Sequence, residues 1–254
     1  MPSVVDGCCG DKNIVDSFAN VFQSVCVSNN INKHADLRGK FFQMYTDYAV
    51  NCKANVSVKL VDKCISGIKR GKAAGLDGLI IEHILYSLPV LVVHLSVLFN
   101  ILLAYGVVPD AFGHGVIIPL IKNADSDKTK SNNYRGITLS PIFSKLFESV
   151  LIDLFGSHLC SGKLQFGFKS QSSCSHAIFT LRTVIDHYVR NCAMVTVCAL
   201  DISKAFDRVD HFALMRRLIE RQLPRNFISV LLDWFRKCYA CVRWGGVYSH
   251  FFLS

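Results

Sequence analysis

Several features that would assign a protein class outright are missing from the 254 residues of this chain. Its N-terminus, MPSVVDGCCGDKN, lacks the basic segment and apolar run of a secretory signal peptide, so we expect no such signal. No internal repeats or low-complexity segments are evident. With 51% hydrophobic and 19% charged residues, the composition excludes a disordered or fibrous chain and supplies a sizeable core, in one large domain or two lobes.

Acidic residues are few in comparison with basic ones. The chain has 19 Asp and Glu against 28 Lys and Arg, which gives a formal net charge of +9. A basic balance of this size favours a polyanionic partner, such as nucleic acid or an anionic membrane. A soluble protein with a basic surface would have the same composition, so composition leaves both interpretations open.

The cysteines lack the pattern of a disulfide framework. There are eleven, an odd number, in a chain too long for the small secreted scaffolds that depend on disulfides. We therefore expect free thiols and no disulfide partner. Cys238 and Cys241 form a single C-x-x-C, and His250 is close in sequence. A fourth zinc ligand is not evident, which argues against a structural zinc site.

One apolar run, ILYSLPVLVVHLSVLFNILLAY at 84–105, is long enough to be a transmembrane candidate. Polar residues and a proline interrupt it, and its leucines recur at alternating steps of three and four. That spacing is typical of one helical stripe, so we expect a helix buried within a lobe. The leucines of the stripe are Leu88, Leu91, Leu95, Leu98 and Leu102.

Hydrophobic spacing along the chain predicts mostly helices, with short strands between them. The predicted helices lie at 14–25, 57–68, 84–105, 140–159, 174–189, 212–221 and 226–239. Strands are predicted at 114–122 and Val195–Leu200, and Gly245-Gly246 indicates a hairpin. Polar loops are predicted at NNINKHADLRGK and at NADSDKTKSNNYRG. The second loop is long enough to suggest a function.

The stretch VCALDISKAFDRVDH carries the most specific chemical signal, because an apolar run ends on the carboxylate of Asp201. A carboxylate at the exposed end of a buried strand can hold a divalent cation for phosphoryl transfer. Asp201 or Ser203 could instead be the N-cap of a following helix. The spacing alone favours the N-cap interpretation.

Within this stretch, LDISKAFDRVDH closely resembles motif A of the reverse transcriptases of non-LTR (LINE-type) retrotransposons. Four further blocks resemble the same family and occur in its order, so the resemblance spans roughly Phe18 to the C-terminus. The blocks are IKRGKAAGLDGLIIE, GVVPDAFGHGVIIPLIK, NNYRGITLSPIFSKLFE and LQFGFKSQSSCSHAI.

This resemblance implies an α+β fold, a partial right-hand polymerase made of the fingers and half of the palm. The palm sheet is expected to be antiparallel, with helices packed on it. The implied domains are a lead-in helix and polar loop at 1–55, fingers at 56–160 and partial palm at 161–254. Because the apolar helix falls in the fingers, the resemblance also argues against a membrane partner.

The implied function is RNA-directed DNA synthesis from an RNA template, a DNA primer and deoxynucleoside triphosphates, with Mg²⁺ as cofactor. By resemblance, Asp201 is catalytic and the first metal ligand, and the backbone carbonyl of Ile202 is a second metal contact. Phe206 is implied to be the steric gate beneath the nucleotide sugar. Lys122 and Arg135 are implied to bind the triphosphate, with Arg135 favoured because a guanidinium can grip phosphate oxygens in a bidentate way.

Template contacts are implied for Gln165, Gly167 and Phe168, although an ordinary tight turn would explain Gly167 equally well. The remaining motif A residues are expected to be structural, as caps and surface pairs. They are Asp207, Arg208, Asp210 and His211. Members of the family are found in cytoplasmic ribonucleoprotein and at nuclear DNA, so both locations are implied.

Three departures from the family pattern bear on activity. Gly136 stands where the family has proline, which predicts a looser turn beside Arg135. The glycine-rich G..QG block and the YADD strand do not occur in the sequence, so the metal site is expected to be incomplete and the chain inactive. The alternatives are a non-catalytic nucleic-acid-binding remnant and a decayed copy without a role.

Overall fold

The structure is a computed structural model in which two compact units are distinguished. The larger unit comprises residues 1–156 and 204–254, and the smaller unit comprises residues 157–203. The residues described are 2–26, 31–51, 54–159, 162–169, 171–202, 205 and 207–253. The predicted domain boundaries after residues 55 and 160 stay a prediction.

Helices make up most of the regular secondary structure of the larger unit. The helices are α1 (Asp11–Val25), α2 (Ile31–Thr46), α3 (Val58–Gly67), α4 (Ile81–Leu85), α5 (Val90–Tyr105), α6 (Ile142–Phe155), α7 (Cys174–Arg190), α8 (His211–Glu220) and α9 (Arg225–Arg236). Of these, α7 is the α-helix of the described part of the smaller unit. The strands are β1 (Val4–Val5), β2 (Cys8–Cys9), β3 (His114–Ile121), β4 (Tyr134–Leu139), β5 (Tyr239–Trp244), β6 (Val247–Tyr248) and β7 (Phe252–Leu253). The predicted helices are all present, although the run at 84–105 is divided into α4 and α5.

The main sheet has the strand order β4-β3-β5-β6, with β7 paired to β5. β3 pairs with β4 in antiparallel orientation and with β5 in parallel orientation. The parallel pairing requires a long crossover connection, and several helices lie between β3 and β5 in the chain. β5 and β6 form the predicted hairpin, in which Gly245 and Gly246 both adopt positive φ. The expected antiparallel sheet is thus observed only in part, since the sheet is mixed.

The prediction of a buried strand at Val195–Leu200 is wrong. These residues form no strand, none of the described strands pairs with them, and Leu200 is 91% exposed. An extended segment becomes a strand only when a neighbouring chain satisfies its N–H and C=O groups. The apolar, β-branched composition signalled strand propensity, but tertiary pairing decides whether a strand forms.

The prediction of a polar loop at NNINKHADLRGK is also wrong, because α2 occupies its described part. The carboxyl-terminal half of α2 carries aromatic residues, and Phe41 packs against Phe212 of α8 with ring centroids 5.8 Å apart. Arg225 donates from Nη1 to the carbonyl oxygens of Tyr45 (2.9 Å) and Tyr48 (2.7 Å) at the helix end. Tertiary contacts therefore stabilise a helix whose amino-terminal half is polar.

The larger core lies among α2, α3, α5, α6, α8 and α9. Phe147 of α6 is fully buried there, with its ring 4.9 Å from that of Phe99 on α5 and stacked 5.8 Å from that of Trp234 on α9. Ser57 caps α3 by accepting a hydrogen bond from the Leu60 amide (3.2 Å), as expected for the predicted helix start.

The expectation that the helix at 84–105 is buried within a lobe is confirmed for one face of α5 only. Leu95 and Leu102 face the core with Phe99, but Val97 and Ile101 on the opposite side are exposed. A continuous apolar run therefore has one packed face and one open face. Among the described helices, none combines the length and apolarity needed to cross a membrane.

A second core lies between α1 and one face of the main sheet. Phe18 of α1 is fully buried, with its ring centroid 5.1 Å from those of both Tyr134 on β4 and Trp244 on β5. The N-terminal segment is thus part of the folded core, because α1 covers one face of β3, β4 and β5.

We expect Phe18→Ala to lower the free energy of unfolding by about 3–5 kcal/mol, because it removes a fully buried ring and leaves a cavity. The control is Tyr105→Ala, at a side chain that is 77% exposed, which should change the value by less than about 0.5 kcal/mol. Urea unfolding measures both. Equal small effects would contradict the packing described for α1.

Candidate nucleotide and nucleic-acid interface

Lys122 and Arg135 are brought together by the hairpin of β3 and β4. Arg135 lies directly opposite Leu120, and the Lys122 amide donates to the carbonyl oxygen of Asn133 (2.8 Å) just beyond the paired strands. Successive side chains of a strand point to opposite faces, so Leu120, Lys122 and Arg135 share one face. The two residues implied to bind triphosphate are therefore neighbours.

This face is turned away from α1. Alternate residues of the same strands, including Ile117 and Tyr134, are buried beneath α1 on the other side. On the outward side, Leu120 and Ile137 are 50% and 41% exposed, and both cationic side chains are exposed. We call Leu120, Lys122, Arg135 and Ile137 the open sheet face. It combines two positive charges with an apolar surface.

The polar loop at 123–133 is held by its own hydrogen bonds. Asp127 accepts from the hydroxyl (2.6 Å) and the amide (2.9 Å) of Thr129, and these bonds hold the pKa of the Asp127 carboxyl below its usual range. The Lys122 ammonium donates to the carbonyl oxygen of Asn132 (2.6 Å). An ammonium has three donors, so Lys122 retains capacity for an anion while its position is fixed.

Charge along this segment is strongly positive. Between Lys122 and Lys145, five Lys and Arg residues stand against two Asp, an excess of three positive charges. Lys130 lies 3.7 Å from Asp127, as expected for a solvated surface pair. Among the described residues, no carboxylate lies within salt-bridge distance of Arg135.

Gly136 stands where the family has proline, and the looser turn predicted from this difference is not observed. It lies within β4 opposite Pro119, and its backbone does not need positive φ. A Cβ at this position would come within 2.8 Å of Ile117 Cγ2 and 3.2 Å of the Phe22 ring. Glycine is needed here for close packing under α1, and the paired strand fixes the backbone beside Arg135.

Asp201 and Ile202 belong to the smaller unit, and both side chains are exposed. Phe206 lies outside the described residues. Among the residues described, no cluster of three His, Cys, Asp or Glu side chains could hold a metal ion. A single carboxylate does not fit the arrangement of bridging acids that two ions require, so the described residues do not provide a complete Mg²⁺ site.

Gln165, Gly167 and Phe168 form a local turn in the smaller unit. Gln165 Nε2 donates to the carbonyl oxygen of Gly167 (3.3 Å), and Phe168 adopts a positive φ of 56° with 91% of its surface exposed. A Cβ on Gly167 would meet nothing within 4 Å. The structure thus brings the three residues together, and both a tight turn and a close approach to nucleic acid remain compatible with it.

The structural role expected for Asp210 is confirmed. Its Oδ1 accepts from the Ala213 amide (3.0 Å) and so caps α8, while its Oδ2 accepts from His34 Nδ1 of α2 (2.8 Å). Desolvation alone would raise the pKa of Asp210, but these two hydrogen bonds hold it below the usual aspartate value. Burial against the Phe235 ring lowers the pKa of His211.

Comparison with known families decides what these residues belong to. The model of the reverse transcriptase (RNA-dependent DNA polymerase) family matches residues 121–253, which is more than half of the chain. The chain belongs to the reverse transcriptase family. The match includes Lys122 and Arg135 together with Asp201, so the open sheet face lies partly within the shared region.

Three relatives of this reverse transcriptase domain come from mobile elements of Drosophila species. A 115 kDa protein of the type-1 retrotransposable element R1DM of Drosophila melanogaster is 28% identical over 164 residues, 63% of this chain and 16% of its own length. The RNA-directed DNA polymerase from mobile element jockey of Drosophila funebris is 26% identical over 184 residues, 70% of this chain. A protein of transposon BS of Drosophila melanogaster is 23% identical over 199 residues, 76% of this chain.

The chain spans about a fifth of the length of these curated relatives, with 16%, 20% and 22% of each covered. The predicted kinship with reverse transcriptases of non-LTR retrotransposons is confirmed. The motif blocks carried this prediction, whereas the shared face of Lys122 and Arg135 required the strand register.

One residue that contacts this region was not predicted. Asp6, at the turn between β1 and β2, binds the 123–133 loop through its amide and its carboxylate. The signal available in the sequence was the Asp6-Gly7 pair, which is typical of a two-residue hairpin turn.

We expect Gly136→Ala to lower the free energy of unfolding of the domain by about 1–3 kcal/mol, because the methyl group would press on Ile117 and Phe22. The matched control is Gly39→Ala within α2, where a Cβ would meet nothing within 4 Å. That change should raise the value by roughly 0.5–1 kcal/mol. If both substitutions shift urea unfolding in the same direction, the packing described for Gly136 is incorrect.

The Asp210 carboxylate should make stability depend on pH. Its folded-state pKa is depressed, so its contribution is present above the unfolded-state value of about 3.9 and is lost as the pH falls through the folded-state pKa. Asp210→Asn keeps a competent helix cap but loses the charge. Urea unfolding should show wild type more stable than Asp210→Asn near neutral pH, with the difference vanishing in acid. A difference independent of pH would contradict the assignment.

Proposed function

We propose that this domain supplies the triphosphate-binding and template-binding part of an RNA-directed DNA polymerase of a non-LTR retrotransposon. The observation that carries the proposal is the open sheet face, where Lys122 and Arg135 lie on one side of a hairpin whose other side is buried. Membership of the reverse transcriptase family supports this assignment.

Arg135 is the principal phosphate ligand in this proposal. Its guanidinium presents a planar fork of donors that matches two phosphate oxygens at once. Its backbone is fixed by pairing with Leu120, so the charge is held at a defined position on the hairpin. The outward orientation lets a triphosphate approach without displacing any part of the second core.

Lys122 is the second phosphate ligand. Its bond to Asn132 holds the ammonium next to the strand end while two donors remain for phosphate oxygens. Leu120 and Ile137 would contact the apolar faces of a base or sugar on the same surface. The open sheet face therefore suits a nucleotide better than a simple inorganic anion.

The other family positions complete the proposal. The RNA template and DNA primer are the expected partners, with Gln165, Gly167 and Phe168 at the template. Exposed aromatic rings such as that of Phe168 stack on bases regardless of sequence. Phe206 is proposed as the residue that discriminates against a ribose 2′-hydroxyl. The jockey relative, described as an RNA-directed DNA polymerase, is consistent with these roles.

We further propose that the chain by itself binds substrates without polymerising them. Asp201 and the carbonyl of Ile202 would be its contribution to Mg²⁺ binding, and the described residues offer no additional carboxylate cluster. Phosphoryl transfer with two ions needs several oxygen ligands in register. A role limited to nucleic-acid binding is the second candidate, and the positive excess at 122–145 favours it.

Equilibrium binding of a fluorescent deoxynucleoside triphosphate tests the first proposal. Arg135→Ala should weaken binding roughly tenfold or more, as expected for loss of a charge-assisted hydrogen bond, and Arg135→Lys should be intermediate. Lys128→Ala is the matched control, because it removes an exposed positive charge from the same loop and should leave affinity nearly unchanged. Unchanged affinity in Arg135→Ala would contradict the assignment.

Primer extension with an RNA template, a DNA primer, Mg²⁺ and deoxynucleotides tests the second proposal. We expect no synthesis by the purified chain, whereas the RNA–DNA hybrid should bind with an affinity that falls steeply with salt. Synthesis that is abolished by Asp201→Ala would show that the chain is an active polymerase. Absence of hybrid binding at low salt would eliminate the nucleic-acid-binding role.

A further inference from the structure

Asp6, at the turn of the N-terminal hairpin of β1 and β2, makes two hydrogen bonds with the polar loop at 123–133. The Asp6 amide donates to the carbonyl oxygen of Thr129 (2.7 Å), and Asp6 Oδ1 accepts from the Ser131 amide (3.1 Å). Both partners lie in the loop that separates Lys122 from Arg135. A residue more than a hundred positions away in sequence therefore restrains the loop between the two proposed phosphate ligands.

The hairpin that carries Asp6 has a fixed base. Val5 in β1 is fully buried in the second core, and β1 pairs with β2 immediately before α1 begins. Asp6 and Gly7 have φ values of 46° and 78°, a region that aspartate, asparagine and glycine adopt more readily than other residues. Asp6 thus combines a positive φ with a carboxylate that accepts a hydrogen bond from the Ser131 amide.

The contacts of the loop lead directly from Asp6 to Lys122. Ser131, whose amide Asp6 binds, is buried and adjoins Asn132, whose carbonyl oxygen holds the Lys122 ammonium. On the other side, the Tyr134 hydroxyl donates to the carbonyl oxygen of Lys128 (2.8 Å), and Tyr134 directly precedes Arg135. Fixing Ser131 therefore restrains the neighbouring Asn132 carbonyl that holds the Lys122 ammonium, whereas pairing with β3 fixes the backbone of Arg135.

We propose that Asp6 is a positioning residue: it fixes the 123–133 loop, and through the loop it sets the position of the Lys122 ammonium for a triphosphate. Asp6 acts through the loop and is not assigned a contact with the nucleotide. The inference rests on the proposed function for its ligand, but the restraint on the loop can be measured without any nucleotide.

Three forms of the full chain separate the roles of Asp6. Asp6→Asn keeps an oxygen that can accept from Ser131 and tolerates positive φ, so it should behave like wild type. Asp6→Gly keeps the backbone freedom but removes the acceptor. In Asp6→Gly, amide hydrogen exchange at Ser131 and tryptic cleavage after Lys130 should become roughly tenfold faster, as expected for loss of a hydrogen bond to a charged group.

Binding of the fluorescent deoxynucleoside triphosphate completes the test. Affinity should fall severalfold in Asp6→Gly and be restored in Asp6→Asn, while the free energy of unfolding shows that both variants remain folded. If exchange at Ser131 is equal in the two variants, the restraint does not exist. If exchange rises but affinity is unchanged, while Arg135→Ala weakens binding, the positioning role is refuted.

The same measurements also test the proposed function separately from the restraint on the loop. If neither Arg135→Ala nor Asp6→Gly changes triphosphate affinity while Ser131 exchange still rises in Asp6→Gly, the restraint on the loop is supported. The assignment of the open sheet face to triphosphate would then be overturned.

Discussion

The burial of Phe18 between Tyr134 and Trp244 is the interaction on which the rest of the candidate site depends. It covers one face of β3, β4 and β5 with α1 and thereby fixes which side chains point outward. Because residues alternate along a strand, a dry inner face containing Ile117 and Tyr134 places Lys122 and Arg135 together on the outer face. Gly136 permits this close cover, since any side chain there would meet Phe22. The N-terminal segment thus determines which side of the β3–β4 hairpin remains exposed.

Much of the helical framework could be predicted, because apolar residues at steps of three and four mark a helix in any context. Strands were harder, since their existence depends on partners distant in sequence. The sequence predicts a polar loop up to Gly136, and only the register of β4 with β3 shows that Gly136 is a strand residue. At Val195–Leu200 the opposite error occurred, because an apolar run has no partner strand among the residues described. α2 was missed because its stability comes from aromatic contacts with α8 and from Arg225.

For the candidate site, the sequence predicted several of the residues but not their geometry. Motif resemblance named Lys122, Arg135 and Asp201, and the family match supports the kinship that those motifs implied. Their geometry could not be read from the motifs, because the length of a loop does not fix the register of the strands on either side. Asp6 was invisible for a related reason: two hydrogen bonds to a distant loop leave only a turn signal in the sequence. Asp201 is exposed, and the part of the chain that the structure describes contains no cluster of three His, Cys, Asp or Glu side chains that could hold a metal ion.

We therefore propose that one surface recognises the nucleotide, on the side of the β3–β4 hairpin that α1 leaves uncovered. Photo-crosslinking of an azido-substituted deoxynucleoside triphosphate, followed by peptide mapping, tests this claim most directly. We expect that adducts fall between Leu120 and Ile137, that excess unlabelled triphosphate suppresses them, and that Arg135→Ala diminishes them. Adducts confined to other segments, or labelling unaffected by unlabelled triphosphate, would contradict the proposal.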